Sequence, residues 1–597
     1  MDANYTGEQE AFSLPIKKAI ESLVFSGLLP PGPVLHLMVD RVLTLLKLGN
    51  KRGRMTRLDA AAAVSAGVLA IPVVIVLASV FAPAGETWAH LASTVLGEYI
   101  ANTLWLVLGT GVGVTVVGVS TAWLTTLFRF PGRGFFEWAL ILPLAMPAYV
   151  MAYAYTDFLQ FAGPLQSWLR ATMGWAPKDY WFPEIRSLGG TAVIFSLVFY
   201  PYVYLLARAA FLEQAAGMIE AGRSLGYGPW RSFFRLVLPL ARPGIVAGVS
   251  LALMETLADF GTVAYFALPT FTTGIYRAWL SLGDRIAAAQ LAAVLLGFVV
   301  LVLIAERLSR GRARFADRSV RRTLVPQRLR GWSAGAAVLA CSVPLLGGFV
   351  LPAAILLDLS VSGGDFHLGP RYYRLVANSV SLAAITALCA VLLGLLIGYA
   401  ARAGGSLFGA VAHRLASLGY AVPGAVIAVG VLIPVTRLDH ALADALQALF
   451  GISVGLLLTG SIAALVYAYL VRFLAVALQS VEAGLAKITP SMDDAARSLG
   501  ERPVGILVRV HVPLLMPSIL VAGLMVFVDV MKELPATFMM RPFNFDTLAV
   551  HAYNLASDER LSELAAPSLT IVAAGVVPLI VLARSLVRAR QAAERVI

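Results

Sequence analysis

Again and again this chain passes some twenty residues with scarcely a charge, as in "AAAAVSAGVLAIPVVIVLASVFA" from Ala60 to Ala82. A helix needs about 18 or more apolar residues to cross roughly 30 Å of hydrocarbon. We read about twelve such spans, at 60–82, 100–126, 136–160, 189–211, 244–264, 286–306, 333–357, 378–400, 414–436, 454–476, 517–537 and 566–587. Only 13% of the residues are charged, against about 25% in soluble globular proteins. The sequence therefore predicts an all-α polytopic membrane protein.

Basic residues fix its orientation. Lys47, Lys51, Arg52, Arg54 and Arg57 precede the first span, which puts the N-terminus in the cytoplasm. The next loop, "PAGETWAHLASTVLGE", has no Arg or Lys and belongs outside. "RLSRGRARFADRSVRRTLVPQRLR" carries nine arginines between Arg307 and Arg330, so it is cytoplasmic. Arg584, Arg588, Arg590 and Arg595 place the C-terminus inside as well. The net charge of +12 sits mostly in such connections. The positive-inside rule accounts for it, and no nucleic-acid partner is expected.

The chain also repeats itself. Glu220 and Asp494 are 274 residues apart, as are Gly226 and Gly500, Pro239 and Pro513, and Pro243 and Pro517. Upstream, Asn102 and Asn378 differ by 276, as do Pro147 and Pro423. Two tandem six-helix units in parallel orientation explain both offsets. The expected organisation is an N-terminal cytoplasmic extension at 1–56, a first half at 57–306, an arginine-rich cytoplasmic linker at 307–331 and a second half at 332–597. The piece "VLHLMVDRVLTLLKL" within the extension suits either a surface-lying helix or a loosely ordered tail.

The repeated strings themselves are "EAGRSLGYGPWRSFFRLVLPLARP" from Glu220 and "DAARSLGERPVGILVRVHVPLLMP" from Asp494. Each opens on an acid suited to a helix N-terminus. Each then reaches a glycine able to end that helix at positive φ. A short amphipathic piece follows, and a proline turn is expected to open the next span. The product would be a cytoplasmic helix–turn–helix knob, with arginines on one side and Leu225, Phe233, Phe234 and Leu236 on the other. A plain connector needs only a few residues, so a knob of about thirty suggests a docking surface.

These residues resemble the EAA loop of ABC importer permeases: an acid-Ala-Ala start, a Gly, then Leu-Pro about a dozen residues further on. Glu220, Ala221, Gly226, Leu238 and Pro239 carry the pattern at 213–242. Asp494, Ala495, Ala496, Gly500 and Pro513 carry it at 480–516. Gly222 replaces the second alanine in one half, and Asp494 replaces glutamate in the other. The resemblance implies the type I ABC importer transmembrane fold, with one fused chain forming the complete transmembrane unit. It also implies coupling helices that seat in two copies of a separate ATPase subunit. ATP and Mg would belong to that partner. None of the seven lysines follows a glycine, so this chain lacks a phosphate-binding loop and is not expected to be an enzyme.

Downstream of each knob, Glu255 and Asp259 match Asp529 and Glu533 at the same 274 offset. Spacing of four predicts one helix face for each pair. They lie roughly 18 and 24 Å along their helices from Pro243 and Pro517. Carboxylates at such depth point to a pathway or a partner. Two readings stand: these acids, with Lys532, line or gate a translocation path, or they pair locally, as Lys532 could with Asp529. Gly261 and Pro535 suggest that both helices break just beyond.

"ADFGTVAYF" and "KELPATFMMRPFNFDTLAVHAYNLASDERLSELAAPSL" are similar to segments of ferric-iron importer permeases. That resemblance implies inward transport of ferric iron delivered by a periplasmic iron-binding protein, in a bacterial inner membrane. Related permeases carry thiamine, phosphonate, polyamine or oxyanions, which stay open as alternatives. An ion-coupled secondary transporter would explain buried acids but not two matched knobs. Tyr149, Tyr153 and Tyr155 fit an aromatic belt better than iron ligands. The two cysteines, Cys341 and Cys389, lack partners at metal-ligand spacing and the seven histidines are scattered, so no resident metal is expected. The first 30 residues lack the order of a signal peptide. No nucleophile, histidine and acid share an identifiable face, which argues against an integral-membrane enzyme.

Overall fold

In the computed structural model the described residues are 56–83, 85–176, 179–224, 226–310, 326–362, 369–404 and 406–595, with the side chains of 213–224, 229–230, 310, 404 and 581–595 outside that description. The expected N-terminal extension thus lies outside the described residues except for Thr56. So do residues 311–325 of the arginine-rich linker.

Among the described residues, eleven helices are each long and apolar enough to cross a bilayer, and one bent pair makes a twelfth span. The first half contains Arg57–Ser79, Leu96–Leu127, the bent pair Arg133–Ala145 with Ala148–Met173, Leu188–Leu212, Phe233–Ala258 and Arg285–Ser309. The second contains Trp332–Ser362, Pro370–Ala403, Gly424–Phe450, Ile462–Leu485, Pro503–Met531 and Leu561–Ile580. We number these spans 1 to 12. The sole strand pairing among the described residues joins Phe128–Arg129 in parallel to Gln327–Arg328, which ties the end of the linker to the turn after span 2.

Four predicted spans need correction. Span 3 is not one helix over 136–160 but turns by 91° at Met146–Pro147. A residue before proline is pushed out of the helical region, and Met146 is extended at φ −90°, ψ 111°. The second half repeats this break: helix Leu407–Ser417, a tight turn, extended Val422, then Pro423 as the N-cap of Gly424–Phe450. Spans 5 and 11 begin earlier than expected because no proline turn opens them. Pro239 and Pro513 lie inside continuous helix, each two residues after a five-residue π turn, Phe233–Val237 and Leu507–His511. A proline in a helix lacks its N–H and crowds the carbonyl four residues back, and a wider turn relieves both problems.

The two halves are interlocked. Span 1 packs mainly on helix Leu407–Ser417 and spans 8 and 9 of the other half, and Tyr467 of span 10 donates a 2.5 Å hydrogen bond to its Val68 carbonyl. Reciprocally, span 7 packs on spans 2, 3 and 4, and Tyr155 donates to Gly347 at 2.5 Å. Membrane helices gain little from hydrophobicity and associate through close backbone approach. Gly430 provides such an approach, since a Cβ there would sit 2.5 Å from the Pro72 carbonyl oxygen.

Candidate functional site

The buried acids come together. Glu255, Asp259, Asp529 and Glu533 line one cavity of about 90 Å³ where the halves meet, and Lys532 lines it with them. Arg472, Tyr149, Tyr202 and Tyr420 complete its polar wall. Four carboxylates face two cations, which gives a formal charge of −2 when all are ionised.

Within each pair the two acids do different jobs, contrary to the expected single helix face. Span 5 ends at Ala258 and span 11 at Met531, so Asp259 and Glu533 lie beyond their helices. Each caps the short helix that follows. Asp259 accepts from the Thr262 and Val263 amides at 2.9 and 3.3 Å. Glu533 accepts from the Ala536 and Thr537 amides at 2.8 and 3.0 Å. A carboxylate at a helix N-terminus satisfies donors that have no other partner. The expected breaks beside Gly261 and Pro535 are therefore present, and the inner acids create them. Lys532 does pair with Asp529, at 2.9 Å. The acids thus share one cavity, and one of them also pairs locally.

The seam between the halves is tight here. A Cβ on Gly261 would meet Leu534 and Tyr149 at 2.7 Å. Tyr149 donates to the Lys532 carbonyl at 3.3 Å, and the Tyr276 hydroxyl donates to the Pro535 carbonyl. Tyr149, Tyr153 and Tyr155 are buried rather than arrayed as an aromatic belt. Their helix follows the break at Pro147 and so packs inside the molecule.

Sequence reasoning missed Arg472. It is 8% exposed on span 10, and its guanidinium lies 3.5 Å from Glu255 and 3.6 Å from Glu533. The signal was present, because an arginine within an apolar run marks function as an acid does. With span 10 expected to end at 476, Arg472 looked like an ordinary flank.

The two repeated segments lie at the other end of these helices. In the first half, the span 4 helix continues unbroken from Leu188 to Ser224. Glu220 and Ala221 fall near its end, and their side chains lie outside the described ones. In the second half, span 10 stops at Leu485 and a separate helix, Pro490–Ser498, follows. Neither acid opens a helix as expected: Asp494 is the fifth residue of its own. Its side chain is 73% exposed and pairs loosely with Arg497 at 3.4 Å. Ala495 is exposed and Ala496 buried. Gly226 and Gly500 have φ of 72° and 84°, a region costly for side chains with a Cβ, so both end their helices as expected. Leu238 is half-buried, and Pro239 and Pro513 are exposed on the following helices. Phe233 is buried against Trp123, whereas Phe234 points outward. Leu499, at 86% exposure, leaves an apolar tip on the second segment.

Comparison with known proteins explains the duplicated arrangement. Residues 114–314 match the family described as "Binding-protein-dependent transport system inner membrane component". The chain is 30% identical to the molybdenum transport system permease protein ModB of Escherichia coli, over 33% of this chain and 87% of that protein. The chain belongs to this family. It is the membrane subunit of an ABC importer, with both permease halves fused, and it sits as a multi-pass protein in the inner membrane. Membership brings an ATPase and a substrate-binding protein as partners. Longer relatives span both halves. The Fe(3+)-transport system permease protein FbpB 2 of Haemophilus influenzae is 26% identical over 82% of this permease and 90% of its own length. The ferric transport system permease protein FbpB of Actinobacillus pleuropneumoniae is 25% identical over 81% and 71%.

Proposed function

We propose that this permease carries ferric iron inward along the seam between its halves. The observation that carries this reading is the cavity at that seam, where four carboxylates outnumber two cations. Hard oxygen ligands suit a hard trivalent ion. Relatives named for ferric iron align with both halves, whereas the molybdenum permease aligns with a third of the chain. Among the described residues no three His, Cys, Asp or Glu side chains converge as a metal cage. We therefore assign the acids to passage, with Glu255, Asp259, Asp529, Lys532 and Glu533 as path or gate. Tight capture falls to a periplasmic iron-binding protein.

In this reading Glu220, Ala221, Gly226, Leu238 and Pro239 form one docking surface, and Asp494, Ala495, Ala496, Gly500 and Pro513 the other. Each receives one copy of the ATPase, which alone binds ATP and Mg. The arginine-lysine bias supports cytoplasmic termini and a cytoplasmic face for both segments.

ATP-dependent uptake into cells with and without this chain tests the substrate. Labelled Fe(III) is compared with molybdate, sulfate, thiamine, a polyamine and a phosphonate. Chain-dependent uptake of iron alone is expected. Uptake of another compound, with iron at background, would overturn the substrate while leaving the architecture intact.

A further inference from the structure

Arg472 is held in an unusual way for a buried arginine. Its two ion-pair distances, 3.5 Å to Glu255 and 3.6 Å to Glu533, exceed the 2.7–2.9 Å of a charge-assisted hydrogen bond. Its Nε has no hydrogen-bond partner. Glu533 is already engaged by the Ala536 and Thr537 amides and the Thr537 hydroxyl. A buried donor without an acceptor is costly, and a buried ion pair of loose geometry does not repay its desolvation. Stability does not explain why this arginine is there.

The repeat sharpens the point. At the 274 offset the counterpart of Arg472 is Val198, and the counterpart of Lys532 is Ala258. All four line the cavity. The acids come two from each half, but both cations come from the second. The first half thus lends the cavity two carboxylates and no cation of its own, and Arg472 reaches across the seam to one of them.

We propose that Arg472 is a built-in counter-cation that determines charge selectivity: it occupies the closed path in place of cargo and bars free cations from the acids. When the halves part, Glu255 leaves with the first half and Arg472 stays with the second. The acids then become available to a cation released from the binding protein. The loose geometry fits this role, because a bridge without good hydrogen bonds separates readily. This inference rests on the seam cavity being the path, but not on iron being the cargo.

The test is passive leak, read without ATP or binding protein. The permease with its ATPase is placed in vesicles, and efflux of Rb⁺, chloride and glycerol is followed. In R472Q, Rb⁺ leak should rise about tenfold or more over wild type, with chloride and glycerol within twofold. R472K should return Rb⁺ leak to near the wild-type rate. R472Q combined with E255Q and E533Q should abolish the preference for Rb⁺. Should R472Q fail to insert, R472M keeps much of the volume without the charge and carries the same expectation. Unchanged Rb⁺ leak in the charge-removed variant would overturn the proposal. So would a parallel rise in all three solutes, which signals a packing defect. Iron uptake enters none of these readings, so failure here and failure of the ferric-iron reading are separable.

Discussion

The two cytoplasmic segments look like copies, yet they are held by different chemistry. In the second half a polar latch fixes the segment to its bundle. Arg402 donates to the Leu485 and Ile488 carbonyls at 2.7 and 2.8 Å and to Asp493 at 3.2 Å. His511 donates to the same carboxylate at 2.5 Å, and Tyr399 donates to the Pro503 carbonyl at 2.9 Å. At the repeat offsets these positions in the first half are Thr126, Ile219, Val237 and Trp123. There the work passes to aromatic packing: Trp123 lies 4.1 Å from Phe233 and 5.8 Å from Phe211 by ring centroids. The first segment also continues a single helix, whereas the second turns away after span 10. The two segments thus rest on different contacts and need not respond alike to pH or salt.

The largest separation of the halves is expected from Trp123→Ala. Removing a buried Trp costs about 3–5 kcal/mol, and thermal unfolding in detergent should show it, with ATPase attachment lost at the first segment. Next comes Arg402→Ala, which leaves Asp493 with His511 as its remaining partner and takes a donor from two carbonyls. A loss of about 3 kcal/mol is expected, against at most about 1 kcal/mol for Thr126→Ala, whose hydroxyl has no partner. Equal losses in these two variants would erase the comparison.

Acid should act on the second segment through Asp493. Burial raises the Asp493 carboxyl, but hydrogen bonding and charge from His511, then Arg402, outweigh it and hold it below the usual carboxylate range. A depressed folded value means that the stabilisation is present above the unfolded carboxylate value and is lost as pH falls through the folded one. Attachment at the second segment should weaken on acidification, and Asp493→Asn should remove that dependence. The smallest effect belongs to Arg497→Ala, whose exposed pair with Asp494 is worth at most about 1 kcal/mol. A larger loss of ATPase binding than of stability in this variant would mark Arg497 as a contact with the partner.

Much of this was legible from single residues. The spans showed as runs without charge, and the halves as two constant offsets. Glu255 and Asp529 stood out because carboxylates are rare in such runs. What escaped were features made by distance or by fine geometry. Arg402 lies 91 residues from Asp493, and His511 a further 18 beyond. Each sits where charge is ordinary, so nothing local marked them as a group. The bend at Met146 was hidden because Pro147 falls inside a run whose length alone suited a straight helix. The expected proline turns failed for the converse reason: a π turn two residues upstream lets the helix pass through Pro239 and Pro513.

In the proposed coupling, the two segments transmit ATP-driven motion to the seam. Gly226→Val with Gly500→Val places β-branched side chains at positive φ in both turns, where they are strained. The decisive measurement is ATP-dependent iron uptake by vesicles containing this double variant, its ATPase and the binding protein. Uptake at background is expected while the variant inserts and spans 1 to 12 stay folded; uptake at the wild-type rate would contradict this coupling.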